Sequence, residues 1–387
     1  NLSGEHRLTG KKKQQLDWNL GYMFSRQDIP DQRVFRFTRG DATTYRMLNP
    51  TIFNDYQWIA KIRPVNTELD YNRSVDKGIL SRTWSRNTEK SYNASIDYSY
   101  DFMPWAQFKA GTFHQWKERV QFRRVYTVNE GDLNDLGYPN NGLLAADGRY
   151  MDYNLVFFKE QDLGNVWSDE SLRDDGSALK VFDRTSGADA YTATEQNNSG
   201  YTALSLKPFG EKLDIYGGVR VEYNRQKVAG AIPQGNQKSP TEGGLNRPIL
   251  VDINRLDWLP SINASYRPTA KWVFRGAYGK TVNRPEFREL SPYSELEYLN
   301  NQVIYGNENL VPASIDNMDL RLEWYPNAAN SANAISVGVF YKDLDKPIER
   351  ILYKDLNYST PTYISFANAE SGVVKGIELD IRQQLDF

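Results

Sequence analysis

The sequence predicts an all-β chain, an antiparallel up-and-down transmembrane β-barrel with long extracellular loops, of which these 387 residues form an incomplete portion. Three observations predict it. Polar and apolar side chains alternate over strand-length runs, aromatic residues stand at both ends of the apolar faces, and the connections between runs are by turns short and long. Residues 253–281 carry the clearest case. Leu256, Trp258, Ile262, Ala264 and Tyr266 fall on one face, with Arg255, Asp257, Ser261, Asn263, Ser265 and Arg267 on the other. After a turn holding Pro268, Trp272, Phe274 and Tyr278 oppose Arg275 and Thr281. Tyr266 and Trp272 flank the turn, while Trp258 and Tyr278 lie toward the far ends. A tilted membrane strand needs about 9 to 11 residues with aromatic girdles at both interfaces, and this hairpin has that length and that placement.

Composition narrows the class. A mean hydropathy of -0.67 and the lack of any long apolar run exclude a helical span, and such polarity is expected of a barrel lined with water. Cysteine is absent, so neither disulfides nor thiolate metal sites hold the fold. The formal net charge of -2, from 47 basic and 49 acidic residues, creates no overall field for nucleic acid. Asn1 opens directly into polar sequence without a signal peptide, so the chain is expected to be an internal fragment of a longer protein.

Taken in order, residues 16–24 read as a strand with Leu16, Trp18, Leu20, Tyr22 and Phe24 on one face, after a polar turn at Gly10 to Lys13. Residues 27–90 lack sustained alternation and read as a long loop with short strands. Tyr92, Ala94, Ile96, Tyr98, Tyr100 and Phe102 form the next apolar face, and Phe108, Ala110 and Trp116 mark its return past Met103 and Pro104. A second long polar stretch covers residues 118–198. Residues 201–207 and 213–223 form a hairpin around Pro208-Phe209-Gly210, followed by a polar loop over 224–252. Beyond Val282 a further loop runs to about Ile315. Met318, Leu320, Leu322 and Trp324 then pair with Ile335, Val337, Val339 and Tyr341, and a last loop containing Pro347-Ile348-Glu349 precedes Ile377, Leu379, Ile381, Leu385 and Phe387. About ten membrane strands result. Short turns on one side and long loops on the other are what an up-and-down barrel requires, and a Greek-key sandwich has no reason to keep that parity.

Several ordered pieces add a resemblance. They are Leu259-Pro260-Ser261-Ile262-Asn263, Asn283-Arg284-Pro285-Glu286-Phe287-Arg288-Glu289-Leu290-Ser291-Pro292, Gly306-Asn307-Glu308-Asn309-Leu310-Val311-Pro312, Asp319-Leu320-Arg321-Leu322-Glu323-Trp324-Tyr325, Val339-Phe340-Tyr341-Lys342 and Gly376-Ile377-Glu378-Leu379. In this order and spacing the stretch resembles the barrel of TonB-dependent outer-membrane receptors, particularly those of Bacteroidota. The resemblance implies active uptake of a scarce nutrient (siderophore, glycan, peptide or vitamin) through a barrel of about 22 strands filled by an N-terminal plug. It also implies the TonB-ExbB-ExbD complex acting through that plug, contact with outer-membrane lipid and lipopolysaccharide, and a SusD-like lipoprotein as a further partner. No plug or TonB box precedes Asn1 and ten strands are too few to close such a barrel, so residues 1–387 are expected to be part of a single outer-membrane β-barrel domain, with the plug domain absent from this chain. Phe387 resembles the terminal aromatic of outer-membrane assembly signals, but an internal cut after a strand is the simpler reading.

No catalytic constellation emerges, and neither enzyme activity nor a cofactor is expected. His6 and His114 are far apart in sequence, and Glu222 and Asp214 face the lumen as solvated carboxylates. The runs Ser168-Asp169-Glu170 and Asp174-Asp175-Gly176 could bind Ca²⁺ but lack the spacing of a calcium loop, so solvated loop is the simpler reading. Candidate ligand contacts are Arg119, Arg123 and Arg124 near one long loop, and Arg284, Glu286, Arg288 and Tyr293 just beyond the strand that ends near Val282. For the first group, barrel lining or outer-leaflet contact is an equal alternative; for the second, packing of the loop wall is. A passive porin or surface adhesin, and a soluble carbohydrate-binding β-protein, remain the competing functions.

Overall fold

The computed structural model describes residues 1–8, 13–35, 58–60, 80–130, 143–144, 150–151, 156–158, 179–183, 185–233, 246–297, 302–327, 332–353 and 362–384. Its wall is one antiparallel sheet whose strands pair in chain order. These are β1 (Leu2–Leu8), β2 (Gln14–Phe35), β3 (Leu80–Met103), β4 (Ala106–Glu130), with β5 (Leu179–Asp183) as a side branch on β4, then β6 (Ala190–Leu206), β7 (Leu213–Pro233), β8 (Asn246–Thr269) and β9 (Trp272–Asn283). After a helical turn, α1 (Phe287–Leu290), come β10 (Ser294–Glu297) and β11 (Gln302–Tyr305), and the wall resumes with β12 (Ala313–Trp324) and β13 (Ala334–Asp345). Two more strands, β14 (Ile348–Tyr353) and β15 (Thr362–Asn368), precede the last wall strand β16 (Ser371–Arg382). The path through the wall is linear over eleven strands, from β1 at one edge to β16 at the other. This is an open arc matching part of a barrel.

Short connections between consecutive wall strands all lie on one side. Pro104 and Trp105 alone separate β3 from β4, and two residues separate β8 from β9. Adjacent short turns are bonded to each other: Asp101 N–H donates to the Lys13 carbonyl, Lys207 N–H to Trp105, and Tyr325 N–H to Lys271. Backbone groups at this rim therefore find partners without water.

Strand parity sorts the side chains. On β8 the even positions Leu250, Leu256, Trp258, Ile262 and Tyr266 are exposed outward, whereas Ile249, Val251 and Asp257 are buried on the inner side. On β3, Tyr92 and Ile96 are outward in the same way. Cross-strand rings form two belts on the outer face. Tyr22 and Tyr92 lie 5.0 Å apart and Tyr92 and Trp116 5.7 Å apart on the side of the long connections, while Trp272 and Trp324 are 6.1 Å apart beside the short turns. Each such pair sits where an amphipathic ring meets a membrane interface.

The strands outrun the sequence-based expectation. Polar stretches expected to be loops from residues 27, 118 and 224 continue as strand to Phe35, Glu130 and Pro233, and the returning partners begin at Leu80, Ala190 and Asn246. Beyond the outer belt there is no lipid, so both faces carry polar residues and the alternation fades although backbone pairing continues. β1 was not expected either, because between Leu2 and Leu8 it shows no apolar alternation, and every residue but Gly4 is exposed. The loops expected near Ile315 and around Pro347 contribute a separate four-stranded sheet, ordered β10, β11, β15, β14, in which β11 and β15 run parallel. The polar turn at Gly10 to Lys12, the acidic runs at 168–176 and the terminal residues from Leu385 lie outside the described residues.

Ile262→Arg places a charge on the lipid face and is expected to cost about 2–4 kcal/mol of folding stability, whereas Asn263→Arg faces the lumen and is tolerated. Refolding the two variants into lipid vesicles checks this, and equal losses contradict the assigned faces.

Candidate functional site

Parity also decides what lines the inside of the arc. On β4 the odd residues Lys117, Arg119, Gln121 and Arg123 share the inner face with Tyr191 and Ala193 of β6, because Gln121 pairs with Tyr191 and Arg119 with Ala193. Val228 of β7 stands opposite Val251 of β8 in the same surface. The chain leaving β9 turns back onto this surface. Phe287, Leu290, Tyr293 and Leu310 pack with Tyr191, Ala193, Val228, Ile249 and Val251 into one apolar cluster, and Ile253, Ile348 and Phe366 close its flank. Leu290 is 0% exposed. An apolar cluster inside a wet lumen can form because the segment brings its own cover, removing both surfaces from water.

The sequence Asn283 to Pro292 explains the fold-back. Pro285 cannot donate to the ladder, and its carbonyl instead accepts a hydrogen bond of 3.0 Å from Gln226 Nε2 on the inner wall. α1 is one turn long, with Glu289 accepting from the Glu286 N–H at 2.9 Å. Burial raises the Glu289 carboxyl above its usual range, the Glu286 N–H opposes that shift, and the neighbouring Glu286 charge adds to it. The end of the turn is capped by the Asn307 N–H on the Glu289 carbonyl, 2.6 Å away. A side chain cannot stand at Gly306, since a Cβ there would lie within 2.7 Å of three carbonyl oxygens of residues 288–291. Asn307 Nδ2 in turn donates to the Phe366 carbonyl at 2.9 Å, tying the segment to the four-stranded sheet.

Charge holds the root of the segment. Arg284 Nη2 donates to Glu222 Oε2 at 2.9 Å and to Asp257 Oδ2 at 3.0 Å, joining two adjacent wall strands. Arg220 lies 2.5 Å from Glu222, and Arg255 the same distance from Asp257. Arg255 Nη1 also donates to the Pro312 carbonyl at 2.8 Å, where the segment rejoins the wall. Three guanidinium groups thus serve two nearly buried carboxylates, which compensates the loss of hydration that would make either carboxylate costly alone.

The expected contact residues separate into three groups. Arg119, Arg123, Arg284 and Tyr293 are brought together, but as supports. The Arg119 guanidinium lies 5.4 Å from the Phe287 ring centroid and bonds Glu89 at 2.8 Å, and Arg123 lies 4.8 Å from the Tyr293 centroid and bonds Asp189. Tyr293 is 8% exposed and accepts from Gln121 Nε2 at 3.4 Å. Glu286 is exposed and Arg288 half-buried on α1, on the same segment. Arg124 is elsewhere: its even position turns it to the outer face, beside Tyr126 and 3.8 Å from Asp183. Sequence reasoning missed Phe287, Leu290, Gln121 and Gln226. The switch from strand alternation to the apolar pair three residues apart, Phe287 and Leu290, is the signal that could have found the first two.

The two histidines make local bonds. His6 Nε2 accepts from Trp18 Nε1 at 3.0 Å, and His114 Nδ1 is 2.9 Å from Asn198 Oδ1 on the outer face.

Residues 17–387 match the family described as TonB dependent receptor-like, beta-barrel. No curated protein matches the sequence. Among solved structures, a double mutant of the Serratia marcescens hemophore receptor HasR, in complex with its hemophore HasA and heme, is similar at 12% identity and a TM-score of 0.41, over 97% of this chain and 59% of that one. The copper transporter OprC is similar at 10% identity and a TM-score of 0.49, over 97% and 42%. The siderophore receptor PirA from Pseudomonas aeruginosa is similar at 12% identity and a TM-score of 0.31, over 97% and 61%. The chain spans less than two thirds of the length of each.

Leu290→Ala empties a fully buried position and is expected to loosen the inward segment by about 2–5 kcal/mol. Hydrogen exchange should then speed up at residues 285–293 while β7 and β8 stay protected. Unchanged exchange in the segment would contradict the packing.

Proposed function

Since the chain belongs to the TonB-dependent receptor-like β-barrel family and its wall is an outer-membrane wall, we propose that it is part of a receptor that takes up a scarce nutrient with energy delivered by the TonB-ExbB-ExbD complex. The observation that carries the proposal is the segment between β9 and β12, folded back and fixed to the inner wall by Arg284 and by the Leu290 cluster. A passive pore gains from an open mouth, whereas a receptor needs a rigid surface inside it on which a ligand can be held.

In this reading the candidate residues divide their work. Arg119, Arg123, Arg284 and Tyr293 hold the ledge, and Glu286 and Arg288 present polar groups on it. Arg124, on the outer face, takes no part in ligand contact. The ligand is a small nutrient, siderophore, glycan, peptide or vitamin, and a SusD-like lipoprotein beside the receptor would favour glycans or peptides. In this reading TonB acts on the receptor through a plug domain.

The test is uptake by cells expressing the full-length gene. Accumulation of the nutrient that supports growth under scarcity should be abolished by deleting tonB or by a protonophore, and Glu286→Gln with Arg288→Ala should weaken ligand binding about tenfold or more while leaving the amount of assembled barrel unchanged. Uptake that follows the concentration gradient and survives loss of TonB would instead identify a passive porin.

A further inference from the structure

Below the ledge the inner wall divides into two chemically different sectors. Strand register sets Asn93 of β3 beside Gln115 of β4, Gln115 beside Asn197 of β6, and Asn197 beside Asn224 of β7, so carboxamides cross four strands in a single row. All of them share the lumen-facing parity of Lys117, Arg119 and Ala193. Neighbours in such a row stand about 4.8 Å apart. Asn197 is closer to the short turns than Ala193, which the ledge covers. At about 3.3 Å per residue on a strand tilted roughly 45°, the row therefore runs ~9 Å below the ledge.

The fold leaves much of this row's hydrogen-bonding capacity open. Asn224 is engaged, since it is 1% exposed and its Nδ2 donates to Glu195 Oε1 at 3.0 Å. Asn93, Gln115 and Asn197 are half-buried. The contacts of the first two, Asn93 Nδ2 to Asn19 Oδ1 and Gln115 Nε2 to Ser91 Oγ, are both 3.4 Å, long for a hydrogen bond. Asn197 Oδ1 is buried without a partner among the described residues, a cost that folded proteins keep mainly where function needs it. Toward the short turns the sector continues with Ser95, Phe113 and Ser199 in the next inward row. The other sector is ion-paired. Arg220 and Arg284 engage Glu222, Arg275 and Arg321 lie 3.0 and 3.2 Å from Glu323, and Arg382 lies 3.3 Å from Asp380.

A solute that follows a wall of ion pairs must either break them or be held by them, and both delay its exit. Carboxamides act differently. Each offers a donor and an acceptor together, as a hydroxyl does, so an uncharged hydroxyl-bearing solute exchanges one hydrogen bond for another at each step with little net gain or loss. An ionic solute finds no countercharge in the row to replace its hydration. We infer that the inner face of β3, β4 and β6 below the ledge is the wall sector along which solute travels toward the short turns, with Asn93, Gln115 and Asn197 as a subsite for the hydroxyl groups of an uncharged ligand. The inference rests on the uptake reading above and adds to it the route that the solute takes and its lack of charge.

The test uses porin-deficient cells expressing the full-length protein, free of other cysteines, with either Ser95→Cys just below the amide row or Asn263→Cys on β8, beside Arg275 and Arg321. Both are treated from outside with hydroxyethyl methanethiosulfonate, its anionic sulfonatoethyl analogue and its cationic trimethylammonioethyl analogue, each rate being divided by that of free cysteine. At Ser95→Cys the neutral reagent should react about tenfold faster than either ion, the effect of one or two hydrogen bonds. Adding Gln115→Leu with Asn197→Leu should remove that preference, with heat-modifiable migration of the barrel unchanged. If the leucine pair blocks assembly, Gln115→Ala with Asn197→Ala carries the same expectation. At Asn263→Cys no preference for the neutral reagent is expected. An equal preference at the two positions, none at Ser95→Cys, or one that survives loss of the amides in assembled protein overturns the inference. Deleting tonB should slow labelling at both positions, whereas rates indifferent to tonB would contradict the uptake reading itself and the transit role with it.

Discussion

A membrane offers backbone groups no partner, and that constraint shapes the whole chain. Every wall strand between the two edges of the arc must satisfy its N–H and C=O groups on both neighbours, which the sequential antiparallel register from β1 to β16 does. Once pairing is obligatory, side chains have only two directions available. Outward positions between the belts are predominantly apolar, while inward positions are free to carry charge, so the lumen chemistry of Glu222, Asp257 and Arg275 arises on strands whose other face is Val221, Trp258 and Phe274.

The same pairing outlasts the lipid that demands it. β3 and β4 are 24 and 25 residues long, against about 9 to 11 needed for a crossing. The excess forms a raised, two-faced palisade standing in water. Its inner face supports the folded-back segment through Lys117, Arg119, Gln121 and Arg123, and its outer face pairs Arg26 and Arg86 with Asp28, and Arg33 and Arg82 with Asp31. Both features depend on strands that continue where sequence alternation stops. Arg284 links the two regimes, since it leaves the end of β9 and ties the segment to carboxylates on β7 and β8.

What was legible in the sequence follows from this division. Where lipid imposes alternation, as from Tyr92 to Phe102 and from Leu256 to Tyr266, strand, face and turn could be read directly. Above the belt Arg26, Asp28, Arg82 and Arg86 look like any polar stretch, because their pairing is set by the neighbouring strand and not by their own pattern. β1 was lost for the same reason. The tract from Arg284 to Tyr293 was marked as a candidate with packing and ligand contact left equal, and Phe287 and Leu290 give packing its physical content. Arg124 was grouped with Arg119 and Arg123 by sequence proximity, but a one-residue step on a strand reverses direction. The parallel pairing of β11 with β15 joins segments about 60 residues apart, and no local pattern encodes such a partner.

The chain has no cysteine, so single cysteines report without background. The most direct test of strand parity as the organising rule is a scan of single cysteines from Tyr92 to Phe102, each carrying an environment-sensitive fluorophore, in vesicles doped with a lipid-bound quencher. Quenching is expected at Tyr92, Ala94, Ile96, Tyr98, Tyr100 and Phe102, and not at Asn93, Ser95, Asp97, Ser99 or Asp101. Quenching without a period of two, or confined to the odd positions, would contradict the assignment of lumen and lipid faces on which every site described above depends.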